Sequence, residues 1–136
     1  MGKGFAATEL SLRYRINGGG WGSAAPGETL SPGGPGGKVT MYMAILMFGE
    51  PGAEILYPDP GFPIYRSMIE YTGATPVPVP IREENGFAFS AEETLSLITP
   101  KTRLLIVNSP ANPTGGVAPK AEIDALVKGL EEHQDV

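Results

Sequence analysis

Asn112-Pro113-Thr114-Gly115 stands where an apolar run, Leu104-Leu105-Ile106-Val107, gives way through Asn108-Ser109-Pro110-Ala111 to a sequence of turn formers. Ligands of open α/β sheets bind outside the carboxyl ends of the strands, so an amide held there by a rigid turn is placed to hydrogen-bond a small molecule. Two other loops have a similar position. Gly36-Gly37-Lys38 immediately precedes an apolar helix-length run; glycines permit close backbone approach, and the first amides of a helix form a ready anion site. Asp59-Pro60-Gly61-Phe62-Pro63 sets an aromatic ring between small and rigid residues after a short apolar strand. Each loop alone has an ordinary reading: a turn, a flexible linker, and a hydrophobic staple onto the next helix. Taken together they offer a phosphate cradle, a stacking face and an amide donor. A phosphorylated, planar heteroaromatic cofactor would use all three.

The elements that must position these loops follow from periodicity. Leu10 to Ile16 alternates apolar and polar residues as a short strand does. Val39 to Phe48 is apolar nearly all round, which predicts a buried helix stopped by Gly49 and Pro51. Ile55-Leu56-Tyr57 reads as a strand. A helix then starts near Pro63, with Tyr65, Met68, Ile69 and Thr72 on one face and Gly73 as its left-handed cap. Thr75 to Ile81 is extended, and prolines at 76, 78 and 80 assign it to a sheet edge. Ser90-Ala91-Glu92-Glu93 has the form of a capping box for a helix carrying Leu95 and Ile98. Arg103 to Val107 is the strongest buried-strand signal, and Pro119 opens a last helix with Ile123, Leu126, Val127 and Leu130 on one face. Helix–strand alternation of this kind implies parallel strands joined by right-handed crossovers and covered by helices.

The chain of 136 residues is long enough for one modest domain. Glycine (19 residues) and proline (14) are unevenly spread, with Gly18–Gly37 dense in both, so residues 1–37 read as an irregular Gly/Pro-rich leader and 38–136 as the folded unit. A net charge of −5 without a basic stripe argues against a nucleic-acid partner. There is no cysteine, hence no disulfide or thiolate metal site, and the single histidine, His133, lies in a polar tail. Metal ligands are therefore not expected. The longest apolar stretch is too short to span a bilayer, and no secretory signal is seen, which leaves the cytoplasm as the expected compartment.

From Gly36 to Val136 the chain resembles the large domain of class I/II pyridoxal-phosphate-dependent aminotransferases, the aspartate aminotransferase-like fold. The resemblance is carried by Gly-Gly-Lys before a helix, Glu50-Pro51-Gly52-Ala53-Glu54-Ile55, and Pro58-Asp59-Pro60-Gly61-Phe62-Pro63-Ile64-Tyr65. It continues through Thr99-Pro100-Lys101-Thr102-Arg103 to Asn108-Ser109-Pro110-Ala111-Asn112-Pro113-Thr114-Gly115-Gly116. It implies an α/β fold, a partial three-layer sandwich with a mostly parallel sheet flanked by helices. It also implies pyridoxal 5'-phosphate as cofactor, an amino acid and a 2-oxo acid as substrates, and a homodimer as the usual assembly. Gly37 and Lys38 would hold the phosphate, Phe62 would stack on the ring, and Asn112 would donate to the ring's phenolic oxygen. The resemblance also implies a cis bond before Pro113.

The resemblance further places the Schiff-base lysine, the acidic partner of the pyridine nitrogen and the substrate-carboxylate arginine downstream of the positions present here. Of the resident lysines, Lys3 lies in the leader, Lys38 by the phosphate, Lys101 at the wrong end of a strand, and Lys120 and Lys128 on the last helix. No catalytic residue is assigned, and the chain is expected to be a truncated large domain, inactive by itself. Trp21 to Pro35 departs from the family pattern, as a rearranged gene product would. The alternatives are a non-catalytic fragment without ligand, or a related pyridoxal-phosphate lyase. A sheet with one unpaired side would make the chain marginally stable or oligomeric.

Overall fold

A computed structural model describes residues 12–15, 21–24, 37–133 and 136. A short antiparallel pair, β1 (Leu12–Arg15) and β2 (Trp21–Ala24), aligns Leu12 with Ala24 and Arg15 with Trp21. The first strand lies where the alternation put it; its partner carries no such signal. The rest of the expected leader lies outside the described residues.

The main body alternates as expected: α1 (Gly37–Phe48), β3 (Glu54–Asp59), α2 (Ile64–Thr72), β4 (Thr75–Pro80), a 3-10 turn (Glu83–Asn85), α3 (Ala91–Ser96), β5 (Thr102–Leu105) and α4 (Lys120–Leu130). The sheet is parallel with the order β4-β3-β5, so β3 is its centre. Strand side chains alternate between faces, and the alternation separates two cores. Ile55 and Tyr57 join Ile45 of α1 and Tyr65 and Ile69 of α2 on one face. Leu56 joins Val79, Ile81, Phe89, Ala91 of α3 and Leu126 of α4 on the other. Leu104 and Ile106 pack with the first cluster and Leu105 with the second. Helices on both faces of the sheet make three layers. Burying each of these large side chains is worth about 1.5–3 kcal/mol.

Gly73 ends α2 in the left-handed conformation (φ 84°) with its amide bonded to the Glu70 carbonyl, as its sequence position predicts. The prolines of β4 do sit at an edge. Thr75 and Ile81 donate to the carbonyls of Ala53 and Asp59, so the odd-numbered positions face β3 and Pro76, Pro78 and Pro80 face outward.

Four expectations need correction. The α1 helix is not buried all round: Ile45 is fully buried, but Met43 (52 % exposed) and Met47 (77 % exposed) face solvent, because α2 and the sheet cover only one side. β5 is an edge rather than a buried strand among the described residues, since it has β3 on one side alone, and Val107 beyond it is exposed. On α4 only Leu126 is buried; Ile123 and Val127 are exposed because α3, six residues long, is too short to cover the whole apolar face. The capping box is half formed. Ser90 Oγ accepts from the Glu93 amide (3.3 Å), but the Glu93 carboxylate turns to the Arg82 guanidinium in a two-point ion pair (2.5 and 2.7 Å). A guanidinium fork outcompetes a single amide for a carboxylate, and it holds the Glu93 carboxyl below its ordinary value. Glu122 of α4 instead accepts from the Ala91 amide (2.6 Å), tying α3 to α4.

Ile69→Ala, which empties a fully buried site between α2 and β3, is expected to lower unfolding stability by about 2–5 kcal/mol in urea titrations. Met47→Ala on the uncovered side of α1 is expected to change it by less than about 0.5 kcal/mol.

Candidate functional site

The three loops singled out by residue type converge at the carboxyl end of the sheet. β3 finishes at Asp59, and the chain turns through Pro60 and Gly61 into α2. The turn is so tight that a Cβ on Gly61 would fall 2.0 Å from the Pro58 carbonyl oxygen, so no other residue fits. This turn delivers Phe62, half-buried, against Tyr65 one turn into α2: the rings meet edge to face, 76° apart, with centroids separated by 5.9 Å. α1 opens at Gly37. Lys38 in its first turn carries its Nζ over the Phe62 ring, 5.5 Å from the centroid, within cation–π range. The glycine-lysine loop and the aromatic loop are therefore neighbours.

Tyr65 links them to the third loop. With the Asn108 amide oriented to satisfy both of its ends, its oxygen accepts from the Tyr65 hydroxyl (3.3 Å) and from the Asn112 backbone amide (3.2 Å). Its nitrogen donates to the Pro110 carbonyl (3.2 Å). The loop is closed further on by Ala111 N–H to the Gly116 carbonyl (2.8 Å), Gly115 N–H to the Ala111 carbonyl (2.7 Å) and Ala118 N–H to Ser109 Oγ (2.9 Å). Asn112 is exposed, and among the described residues its side-chain amide has no protein partner. The Asp59–Pro60, Ser109–Pro110 and Asn112–Pro113 bonds are all cis; the family resemblance implied only the last.

A continuous series of contacts thus runs Lys38, Phe62, Tyr65, Asn108, Asn112. Reading the sequence missed two of its members. Tyr65 was assigned to a helix face and Asn108 to a strand end. A polar residue at the last step of an apolar strand, followed by Ser-Pro, was the signal available. Burial pushes the Tyr65 phenol above its ordinary value. Lys101 lies at the opposite end of the sheet, where its carbonyl accepts from the Glu54 amide (2.9 Å). Lys120 is paired with Asp124 on α4 (2.8 Å). A small apolar hollow on the α3–α4 side, lined by Val79, Ile81, Phe89, Leu105 and Ala118, includes none of Lys38, Phe62 and Asn112.

The described residues thus set the start of α1 and the Lys38 ammonium beside an aromatic face, with the Asn112 side chain exposed on the neighbouring loop. Residues 33–135 match the family described as aminotransferase class I and II, and the chain belongs to that family. It is 40% identical over 98 residues to an arginine–pyruvate transaminase of Pseudomonas aeruginosa, covering 72% of this chain and 25% of the relative. It is also 40% identical over 103 residues to an aspartate/prephenate aminotransferase of Cereibacter sphaeroides, covering 76% and 26%. Among solved structures, the aspartate aminotransferase of Thermus thermophilus with maleate superposes with a TM-score of 0.68 at 37% identity, covering 72% of this chain and 26% of that one. The enzyme from Rhizobium meliloti gives 0.69 at 31% identity, covering 74% and 25%. The chain spans about a quarter of the length of the curated relatives it matches. The family is pyridoxal-phosphate dependent.

Tyr65→Phe tests the linkage within the site. Loss of the hydroxyl that donates to Asn108 is expected to cost about 1 kcal/mol at neutral pH in denaturant titrations. Because the folded phenol ionises above the ordinary tyrosine value, the unfolded chain loses its proton first, and stability falls as pH rises past that value. The variant should show a shallower alkaline decline, with the share due to Tyr57, also raised by burial and by the nearby Asp59 charge, left intact.

Proposed function

We propose that this chain supplies one wall of the cofactor pocket of a pyridoxal-phosphate-dependent aminotransferase, in the cytoplasm, that moves an amino group between an amino acid and a 2-oxo acid. The observation that carries the reading is the contact series from Lys38 to Asn112 at the carboxyl end of a parallel sheet, in a chain of the aminotransferase family. The residues suit the group. The backbone at Gly37 and Lys38 and the Lys38 ammonium would hold the phosphate. Phe62, braced by Tyr65, would lie against the ring. The Asn112 amide would donate to the ring's phenolic oxygen, and Asn108 would orient it by holding the Asn112 backbone. Pyridoxal phosphate, when bound, supplies the electron sink that amino-group chemistry needs. This chain's share is to bind and orient it.

The named relatives act on arginine, aspartate and prephenate, so the substrate class proposed is amino acids and 2-oxo acids in general. We assign the Schiff-base role to none of the five resident lysines: Lys38 serves the phosphate, and Lys101, Lys120 and Lys128 lie away from the contact series.

An absorbance titration of the 136-residue chain with pyridoxal phosphate is the test. The expected result is weak, reversible binding without a visible Schiff-base band, and no stoichiometric adduct after borohydride. Asn112→Ala should weaken that binding about fivefold, the loss of one hydrogen bond. Stoichiometric trapping on Lys38 would overturn the assignment of roles, and unchanged binding in Asn112→Ala would remove Asn112 from the pocket.

A further inference from the structure

Four asparagines are present, Asn17, Asn85, Asn108 and Asn112. Asparagine is chemically labile, because the backbone nitrogen of the following residue can attack its side-chain carbonyl carbon. Asn112 is shielded from that attack, since Pro113 follows it and has no N–H. Asn108 is half-buried, and both ends of its amide are committed to hydrogen bonds. Asn17 lies outside the described residues. Asn85 is differently placed. It ends the 3-10 turn, is exposed, and its side chain has no partner among the described residues. Gly86 follows it in the left-handed conformation (φ 60°), with nothing within 4 Å of the point where a Cβ would stand, so no side chain hinders approach to its nitrogen. The Gly86 amide donates to the Glu83 carbonyl (2.9 Å). That is an i→i+3 bond of one short exposed turn, of the kind that opens at little cost.

We propose that Asn85-Gly86 is a site of spontaneous modification through a cyclic imide, converting Asn85 to aspartate and isoaspartate, and that the isoaspartyl form loosens the loop carrying Asn112. The Gly86 nitrogen bonds to Cγ of Asn85, the Cγ–Nδ2 bond breaks, and Nδ2 leaves as ammonia with the proton that Gly86 gives up. Water then opens the imide at either carbonyl; nothing is oxidised or reduced. Opening at the main-chain carbonyl routes the backbone through Cγ and turns the former Asn85 carbonyl into a free carboxylate. The turn is held by Ala88 N–H to that Asn85 carbonyl (3.1 Å) and by Phe87 N–H to the Arg82 carbonyl (2.9 Å). A lengthened backbone fits neither bond. Phe87 itself has φ 56°, a left-handed conformation that is costly for an aromatic residue and persists only where its surroundings hold it. Its carbonyl lies tightly against Gly116: a Cβ there would fall 2.3 Å from the Phe87 oxygen. The Gly116 carbonyl in turn accepts from the Ala111 amide (2.8 Å), the bond that closes the loop around Asn112. A change at Asn85 thus reaches that loop through backbone contacts alone.

Trypsin separates the sites. Residues 83–101 contain Asn85 as their only asparagine, and residues 104–120 contain Asn108 and Asn112. The native 136-residue chain, incubated warm in mildly alkaline buffer, is expected to gain the deamidation mass in peptide 83–101 while peptide 104–120 stays unchanged. Electron-transfer fragmentation should show isoaspartate as the larger product. Asn85→Gln should abolish the gain. The deamidated chain, isolated by ion exchange, should exchange the amide hydrogens of 104–120 faster than the fresh chain. Asn85→Asp, which adds the charge on an ordinary backbone, should exchange there as the fresh chain does. A peptide 83–101 that stays unmodified, or a mass gain that comes first in 104–120, overturns the site. A product that is aspartate alone, equal exchange in the deamidated and fresh chains, or equally fast exchange in Asn85→Asp overturns the link to the Asn112 loop.

Discussion

Everything in the main body depends on the burial of β3 from both sides. Ile55 and Leu56 are wholly excluded from water and Tyr57 nearly so, and they point alternately into two separate cores. A strand in that position cannot serve one layer of helices alone: one face left bare would expose Ile55 and Tyr57, the other Leu56. The pairing of β3 with both β4 and β5 follows, and with it the placement of α1 and α2 on one face and α3 and α4 on the other. The carboxyl ends of β3 and β5 are thereby brought side by side, and the loops that follow them meet through Tyr65 and Asn108.

Tyr65 and Asn108 carry the organisation of these loops. Tyr65 serves the core with its ring and the loop with its hydroxyl. It braces Phe62 edge-on while its oxygen reaches Asn108. Asn108 in turn holds the backbone of Asn112 and leaves that residue's side chain uncommitted. The proposed cofactor reading draws on this division, since a pre-organised pocket holds the groups that meet a ligand by groups that do not. The membership in the aminotransferase family and the cofactor reading are consistent with this arrangement.

The uncovered surfaces have a common cause. The outer side of α1, the outer edge of β5 and the exposed apolar positions of α4 are all places where the sequence is apolar and the neighbouring element is short or lacking among the described residues. The family relatives are about four times as long as the matched region. The proline-lined edge of β4 shows the opposite solution, where backbone donors have been removed at each outward position.

The residues by themselves determined the kind and order of the elements. Periodicity of 3.6 or 2, with proline and glycine at the breaks, is a local property and needs no partner to be read. The α2 cap at Gly73 and the edge position of β4 follow from backbone chemistry in the same way. Pro76, Pro78 and Pro80 can occupy only a side where no donor is required. The loops carrying Phe62 and Asn112 were visible as breaks after apolar strand-like runs, and Gly37-Lys38 as the break before an apolar helix. Tertiary structure decided what no local pattern contains. It decided which apolar faces find cover, so that Met43, Met47 and Val127 are exposed despite their apolar runs. It decided that Glu93 turns to Arg82 rather than to its helix end, since the competing guanidinium lies eleven residues away in sequence. And it placed Asn108 between Tyr65 and Asn112, a contact across forty-three residues of chain that exists only because β3 and β5 lie side by side.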